Sequence, residues 1–535
     1  MTPSASQSPT KSRKSVLARA IACGLLLALP ACQIPKLRHA EPGPGLPAEY
    51  KINTSAEYPA QLAAVIGGVG YANLPTSANS ADNTGLLGIQ EFYDDQLLTR
   101  LLTQAISSNL ELKNLEQEIQ IARNEILARR GAYLPFVTVG ARAGVDKPSL
   151  FTPRGAAEDQ LLYPNGKHFP DPLGDFLGAF NFFWTPDIWR QLHNARYAAE
   201  QRYIAAVERR NYFVTTLVAE VAEKYYRLMA LDQRIQNLND TIDLQQQSYD
   251  IAKARFDAGR GTELAVQRFQ AEVRKNQSEK LLVKQEIIEV ENRINFLITR
   301  FPEPVERSST GFFDLTIHSL SAGVPPQLLA NRPDIRQAER ELIAAGLDIK
   351  VARARFFPTL TITSGVGYQA FNLRYLFTTP DALIVGVAGD LVAPLINKAA
   401  IRADFMTANA RQLEAIYNYQ KVVLNAFTEV VNRLSMVEYY RKSIDVRTQQ
   451  LAALDAAVDA ASKLFQAARV EYIEVLFAQR DRLDARMALI DTKAQQLAAI
   501  VNAYQALGGG AVVSSTPQVQ PQQQPQVLPQ PQPQP

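Results

Sequence analysis

The sequence LMALDQRIQNLNDTIDLQQQSYDIAKARF, residues 228–256, has the spacing of a long amphipathic helix. Mostly apolar side chains recur every three or four residues, so they share one helical face. Gly and Pro are missing from residues 189–258, and a helix of that length would run roughly 100 Å. Such a length predicts a coiled coil or a helical tube. The seam residues are Leu228, Leu231, Ile235, Leu238, Ile242, Gln245, Tyr249, Ala252 and Phe256.

The same helical phase returns 209 residues later, in residues 437–465. Each long helix is followed by a short turn and a second predicted helix, near 262–300 and 472–507. The chain is therefore internally duplicated, with a period too long for a solenoid repeat. The polar seam residues Gln245 and Arg447 argue against a dry two-stranded coil. The matching seam residues are Val437, Tyr440, Ile444, Arg447, Leu451, Leu454, Val458, Ala461 and Phe465.

Strands are predicted where Pro and Gly interrupt the helices. Residues 136–146 and 359–369 alternate apolar residues with polar residues or Gly, which is typical of outer-membrane β-strands. Partner strands are predicted near 176–186 and 383–392. The interfacial aromatic residues on the first partner strand would be Phe180, Phe182 and Trp184.

Four strands cannot close a β-barrel, because about eight are the practical minimum. An open edge in lipid would leave backbone groups without hydrogen bonds, so the chain is expected to oligomerise. Sequence does not determine the number of copies, and three would supply twelve strands. The expected fold class is an α+β membrane protein with an internally duplicated chain.

The N-terminus has the features of an export signal over residues 1–31. A basic segment precedes the apolar residues 20–29, which are too few to span a bilayer. Leu29-Pro30-Ala31-Cys32 resembles a bacterial lipobox, so Cys32 is the expected lipid anchor. Pro30 is unusual there, and the alternative is ordinary cleavage nearby with Cys32 as a bystander. Gln33, rather than Asp, favours transfer to the outer membrane.

The remaining boundaries follow from composition. Residues 32–90 are expected to form an extended, lipid-anchored lead-in, residues 91–300 the first repeat and residues 301–510 the second. Residues 511–535 are rich in Pro and Gln, and such a composition predicts a disordered tail.

Composition also excludes several classes of protein. The net charge is only +3, with Lys and Arg interspersed among Asp and Glu, so no nucleic-acid partner is indicated. After the signal, no segment is apolar for the eighteen or so residues that a transmembrane helix needs. The four histidines are isolated, and no nucleophile or phosphate-binding motif occurs. We expect no catalysis, no cofactor and no metal.

Two further motifs are specific: residues 330–339, ANRPDIRQAE, and residues 255–264, RFDAGRGTEL. They resemble the "RRPDI" block and the helix-turn-helix tip of the outer-membrane efflux (TolC) family, in its lipoprotein branch found beside RND pumps. Phe357-Pro358 and Pro394-Leu395 occur where its second strand pair begins and ends. The resemblance covers residues 90–510.

The resemblance implies a homotrimer with a twelve-stranded β-barrel, four strands per chain, continuous with a long periplasmic α-helical barrel. It also implies an exit duct that contacts outer-membrane lipid and docks onto a periplasmic adaptor. An inner-membrane pump of the RND class would deliver the substrates. The adaptor-docking tips would be Gly259, Arg260, Gly261 and Thr262 in the first repeat and Ala468, Arg469, Val470 and Glu471 in the second.

The periplasmic aperture would lie at Glu474 and Phe477. Glu474 would form a ring of three carboxylates, or it is simply a surface acid; Phe477 would be an apolar constriction, or ordinary core. Phe477 replaces the second acid of the family, which puts a two-ring acidic gate in doubt. Asn331 and Ala468 also depart from the family pattern, at positions where Arg and Gly are usual.

Two further residue groups have an ordinary structural explanation. Gly259 and Gly261 suit a helix C-terminus that needs positive φ, with or without adaptor docking. Arg332 and Asp334 are expected to orient a helix start, since Pro333 suits the first helical turn.

Three other functions remain alternatives at this stage. The closest is a type I protein secretion duct, which neighbouring genes would distinguish from a pump-linked one. A periplasmic coiled-coil adaptor or structural lipoprotein would lack the ten-residue strands and would give no SDS-resistant band. A surface hydrolase would need a catalytic constellation. The transported substrate does not follow from the sequence.

Overall fold

The computed structural model describes residues 34–47, 84–162, 166–309, 311–315, 317, 326–395, 398–467 and 469–510. The predicted export signal, Cys32 and the Pro/Gln-rich tail lie outside these residues, as does Ala468. Residues 34–47 have no regular secondary structure, whereas Thr84–Leu86 form a 3-10 turn.

The described chain contains ten α-helices and four strands. In chain order they are α1 (Ile89–Tyr93), α2 (Gln96–Ser108), α3 (Leu110–Gly131), β1 (Phe136–Asp146), α4 (Pro153–Gln160), β2 (Leu173–Trp184), α5 (Gln191–Asp257), α6 (Glu263–Leu297), α7 (Pro326–Asn331), α8 (Pro333–Ala354), β3 (Thr359–Ala370), β4 (Leu383–Val392), α9 (Ala399–Gln466) and α10 (Tyr472–Ala506).

The duplication inferred from the seam is visible in the helix lengths. α5 and α9 have 67 and 68 residues, and each is followed by a return helix of 35 residues, α6 or α10. α3 and α8 have 22 residues each. The predicted long helices and their return helices are therefore confirmed to within a few residues.

The four strands form one antiparallel sheet in the order β1-β2-β3-β4. β1, β3 and β4 agree with their predicted ranges, and β2 begins three residues before its predicted range. Within the described residues, β1 and β4 each pair on one side only, so each leaves an edge whose backbone groups have no strand partner.

The register separates the residues of the sheet into an apolar and a polar face. Val139 pairs with Phe180, Phe180 with Val366, and Val366 with Val385, and directly paired residues project on the same side. The adjacent row on the other face begins with Thr138 and continues through Asn181, Gly365 and Gly386. Val139 is 74% exposed, so the apolar face is uncovered in the single chain.

The chain forms two compact units, and each takes residues from both repeats. Among the described residues, the first contains residues 34–43, Glu118–Ala206 and Ala338–Gln420, and the second contains residues 44–47, 84–117, 207–337 and 421–510. In the first unit, a small cluster joins Ile349 and Ala352 of α8, and Phe356 just after it, to Phe405 of α9, with Ile34 packed against the cluster.

The core of the second unit contains residues of α1, α2, α5, α6 and α10. Phe92 stacks on Tyr504 with ring centroids 3.9 Å apart, and the Tyr504 hydroxyl donates to the Leu87 carbonyl at 2.6 Å. Leu228 and Leu231 of the predicted seam are fully buried in this core. Among the described helices, none has an apolar stretch long enough to cross a membrane.

Candidate functional site

The first predicted tip is the turn between α5 and α6. Gly259 has φ +70°, a left-handed conformation that favours glycine. A Cβ on Gly261 would come 3.0 Å from the Phe256 nitrogen, so the turn leaves little room for a side chain there. Thr262 caps α6, because its hydroxyl accepts a hydrogen bond from the Ala265 amide at 3.3 Å. Each glycine therefore has a structural reason, whether or not the turn also docks a partner.

The second predicted tip, between α9 and α10, closes with the same backbone hydrogen bond as the first, in which the Arg260 amide donates to the Arg255 carbonyl at 2.8 Å, but the helix that follows it is capped differently. The Arg469 amide donates to the Leu464 carbonyl at 2.9 Å, and Val470 is partly buried. Glu471 occupies the N-cap position of α10 without a side-chain hydrogen bond. The structure describes neither the backbone nor the side chain of Ala468. This turn therefore has no side-chain cap, although it corresponds in sequence to the first.

A shared hydrophobic cluster brings the two hairpins together. The ring centroid of Phe269 lies 6.3 Å from those of Phe465 and Tyr472, and Phe269 is fully buried. The guanidinium of Arg255 lies 4.4 Å from the Phe465 ring centroid. Its Nη2 donates to the carbonyl oxygens of Phe465 at 2.6 Å and Gln466 at 3.1 Å, which satisfies carbonyls at the end of α9.

The predicted aperture residues lie on the exposed side of α10. Glu474 is exposed and Phe477 is 52% exposed, whereas Val475 and Leu476 between them are buried. Phe477 is therefore not a core residue of the single chain. Glu474 lines a shallow pocket with Ala461, Leu464, Val470 and Glu471, which places the carboxylate beside the second turn.

Sequence analysis missed two acids on the same stripe of α10. Asp481 and Asp484 are exposed. Asp481 lies four residues after Phe477 and Asp484 three residues after Asp481, so both continue the helical face of Glu474 and Phe477. The signal was available, because helical periodicity counted forward from Glu474 reaches both. Phe477 is thus flanked by carboxylates on its own helix, although the family's second acid is absent at its position.

A buried polar layer lies further along the hairpins. The amide of Asn276 on α6 donates to Gln245 on α5 at 2.8 Å, and Gln479 on α10 donates to Ser248 on α5 at 3.0 Å. Gln245, Asn276 and Gln479 are at most 2% exposed. The polar seam position Gln245 therefore joins helices through a buried hydrogen bond, as expected for a seam that is not dry.

Arg332 organises the region where the second repeat begins. Its guanidinium makes two hydrogen bonds to Asp334, at 3.0 and 2.8 Å, one to Glu429 at 3.0 Å and one to the carbonyl of Ala506 at 2.8 Å. Burial lowers the pKa of Arg332, but hydrogen bonds and charges from both carboxylates outweigh this and raise it. The side chain stays charged and joins α8, α9 and α10. Its role is therefore wider than the predicted one of orienting the start of α8.

No group of His, Cys, Asp or Glu residues within the described ranges is arranged to hold a metal ion. The functional geometry of the described residues consists of exposed turns, an exposed acidic stripe and buried joints.

Comparison with known proteins identifies relatives over most of the chain. The outer membrane efflux protein family matches residues 101–299 and 324–509. The cation efflux system protein CusC of Escherichia coli is 27% identical over 435 residues, which are 81% of this chain and 90% of that protein. The solvent efflux pump outer membrane protein SrpC of Pseudomonas putida is 26% identical over 436 residues, 81% of this chain and 89% of that protein.

The fold is shared with solved structures of outer-membrane channels. The open state of the MtrE outer membrane channel of Neisseria gonorrhoeae superimposes with a TM-score of 0.73 at 21% identity. The superposition covers 90% of this chain and 98% of that one.

Proposed function

Because the chain belongs to the outer membrane efflux protein family, we propose that it is the outer-membrane exit duct of a tripartite efflux system. It would conduct substrates passively, without changing them chemically. A periplasmic adaptor and an inner-membrane pump of the RND class would deliver those substrates.

One observation carries this proposal: the sheet has an apolar exposed face, a polar face and two edges that pair with no strand in the described part of the chain. Val139, Phe180 and Val366 lie on the apolar face and Thr138 and Asn181 on the polar face. In lipid, the unpaired edges would cost several kcal/mol for each backbone group left without a hydrogen bond. Pairing β4 of one copy with β1 of the next removes both edges, and three copies give a closed barrel of twelve strands.

The matched pair Val139 and Thr138 tests the membrane role of the sheet. Val139→Arg places a charge on the proposed lipid face, which costs about 2–4 kcal/mol per chain at mid-membrane depth. Thr138→Arg places the same charge on the proposed lumen face. We expect Val139→Arg to reduce the SDS-resistant, heat-modifiable trimer band far more than Thr138→Arg. Equal loss in both variants would refute the lipid and lumen assignment.

The exposed stripe of α10 supports an aperture role for Glu474. Three copies around a symmetry axis would bring three carboxylates together, and such a ring attracts cations and repels anions. Glu474→Lys should therefore reverse the cation selectivity of the purified trimer in planar bilayers, and Glu474→Gln should lower it. Glu111→Lys, at an exposed acid on α3, is the charge-matched control. An unchanged reversal potential for Glu474→Lys would remove Glu474 from the constriction.

The two turns are proposed as adaptor-docking tips. Residues 259–262 of the first turn and Arg469, Val470 and Glu471 of the second lie beside one shared cluster, so an adaptor could contact both turns of a chain together. Arg260→Glu should weaken adaptor pull-down and leave the trimer band unchanged, because Arg260 is exposed.

Lipid anchoring at Cys32 is a further part of the proposal. Cys32→Ala should abolish labelling with a radioactive fatty acid, whereas the sheet should still hold the variant in the outer membrane. Labelling that survives the substitution would disprove the anchor.

The substrate would be selected by the pump rather than by the duct. CusC is named for cation efflux and SrpC for solvent efflux. The two proteins nevertheless match this chain over a similar length. A duct of this family is therefore expected to select little by itself.

A further inference from the structure

A basic pocket of about 350 Å³ lies where α5 begins and α8 ends. One wall is aromatic: Trp189 stacks on Phe357 with centroids 4.7 Å apart, and its Nε1 donates to the Pro358 carbonyl at 2.7 Å. The pocket is lined by Trp189, Arg190, Asn194, Lys350, Arg353, Ala354 and Phe357.

The three cations of this pocket have no carboxylate partner within the described parts of the chain. The neighbouring acids form ion pairs with other residues: Asp187 with His193, Asp348 with Arg202, and Asp404 with Arg355. Arg190, Lys350 and Arg353 are all exposed. Three uncompensated positive charges around one concavity favour an anionic ligand.

The surroundings indicate which kind of anion fits. Trp189 lies five residues after the end of β2, and Phe357 lies two residues before the start of β3, so both mark the same end of the sheet. Trp189 is 46% exposed and its neighbour Ile188 is 55% exposed. Exposed tryptophan at the end of a membrane strand is typical of the lipid–water interface. A free phosphate would make no use of this apolar wall.

A second feature places the membrane surface near the same end of α8. Ile34 packs against the cluster of Ile349, Ala352 and Phe356, and these residues adjoin Lys350, Arg353 and Phe357 in sequence. The proposed lipid anchor at Cys32 is two residues from Ile34, a reach of about 7 Å in extended chain.

We propose that this pocket binds the headgroup of an anionic phospholipid in the periplasmic leaflet of the outer membrane. The lipid phosphate pairs with Arg190, Lys350 and Arg353, and the first part of its acyl chains covers Trp189 and Phe357. The inference rests on the proposed function, because it requires the sheet to lie in the membrane.

The chain has only two tryptophans, Trp184 and Trp189, so fluorescence can report on this pocket directly. In the Trp184→Phe variant, Trp189 is the sole tryptophan. The variant is reconstituted in phosphatidylcholine vesicles that contain brominated phosphatidylglycerol or brominated phosphatidylcholine, and quenching gives the relative association constant. We expect phosphatidylglycerol to be preferred at least fivefold, since each basic residue near an anionic surface contributes about that factor.

Neutralising the pocket should remove this preference. In the variant with Arg190→Gln, Lys350→Gln and Arg353→Gln, both brominated lipids should quench equally. The control with Lys113→Gln, Lys253→Gln and Lys284→Gln removes three exposed cations of the other compact unit and should keep the preference.

Two outcomes would overturn the lipid site. Equal quenching by the two lipids before neutralisation would show that the headgroup is not recognised. Loss of the preference on adding millimolar inorganic phosphate would show that the pocket takes free anions. A Val139→Trp variant, in which Trp184 and Trp189 are replaced by Phe, separates this from the proposed function. If neither brominated lipid quenches that variant, the sheet is not in the membrane.

Discussion

The two repeats each join the end of the return helix to the start of a 22-residue helix, but they use different side chains. Asn109 and Arg332 occupy equivalent positions: each immediately precedes a 22-residue helix, α3 or α8. The Asn109 amide donates to the carbonyl of Leu297 at 2.9 Å, and the Arg332 guanidinium donates to the carbonyl of Ala506 at 2.8 Å. Leu297 and Ala506 are the last residues of the return helices α6 and α10. Each contact joins the end of one helix to the start of another.

The two joints differ in charge. Asn109 is neutral and also caps α3 by accepting from the Leu112 amide at 3.1 Å. Arg332 is 2% exposed and needs two carboxylates, Asp334 and Glu429, to remain charged in the interior. A buried charge is costly to leave without its partners, so the second joint is more sensitive to change than the first.

The tips differ in burial. Phe256 and Phe465 are equivalent seam residues, but Phe256 is 42% exposed and Phe465 is 6% exposed. Arg255 of the first repeat covers Phe465, whereas the equivalent residue of the second repeat is the apolar Leu464. The duplicated halves therefore pack asymmetrically against each other.

Arg332→Ala should give the largest effect. It leaves Asp334 and Glu429 without their cation and the Ala506 carbonyl without its donor, so unfolding free energy should fall by about 3–5 kcal/mol. Guanidinium denaturation followed by far-UV circular dichroism measures this loss. Arg274→Ala, at an exposed arginine on α6, should change stability by less than about 0.5 kcal/mol. A loss no larger than that of Asn109→Ala would contradict the charge-based ranking.

Phe465→Ala should cost about 3 kcal/mol, because it empties a buried site between Arg255 and Phe269. Phe256→Ala should cost less than about 1 kcal/mol, since the ring is already partly in water. Hydrogen exchange of the amides at the start of α10 measures the difference near the tip. Similar exchange rates in the two variants would mean that the tips are not asymmetric.

Asn109→Ala should cost about 1–3 kcal/mol, the usual range when a buried polar group loses its partner. Asn109→Asp is the informative companion, because it keeps an acceptor for the Leu112 amide and removes the donor to Leu297. If the two variants are equally unstable in denaturant, the contact to Leu297 matters more than the cap.

Thr299→Gly should have the smallest effect, a stabilisation of up to about 1 kcal/mol. Thr299 has φ 57° after α6, where the equivalent residue after α10 is Gly508 with φ 91°. The reverse change, Gly508→Ala, should destabilise, because its Cβ would lie 2.8 Å from the Asn331 carbonyl oxygen. Thermal melts of both variants test the pair, and a destabilised Thr299→Gly would show that Thr299 contributes more than its conformational strain.

Much of the fold could be predicted from local pattern. The seam through Leu228 and Leu238 located α5, and the alternation around Val139 located β1, because both periods are properties of a single segment. The turn at Gly259 was also predictable from its glycines. Asp481 and Asp484 were not predicted as site residues, although both follow from helical spacing, and the contact of Arg255 with Phe465 did not follow from the tip motif that contains Arg255.

The sequence by itself determined the lengths of the helices, the position of the strands and the duplication, because each depends on neighbours a few residues apart. Only the tertiary structure decided which of two equivalent residues is buried. Leu228 is fully buried and its counterpart Val437 is partly exposed, and Arg332 meets Glu429 and Ala506 from distant segments. Burial and ion pairing depend on which surfaces meet in three dimensions, and a repeated pattern within one segment carries no information about that meeting.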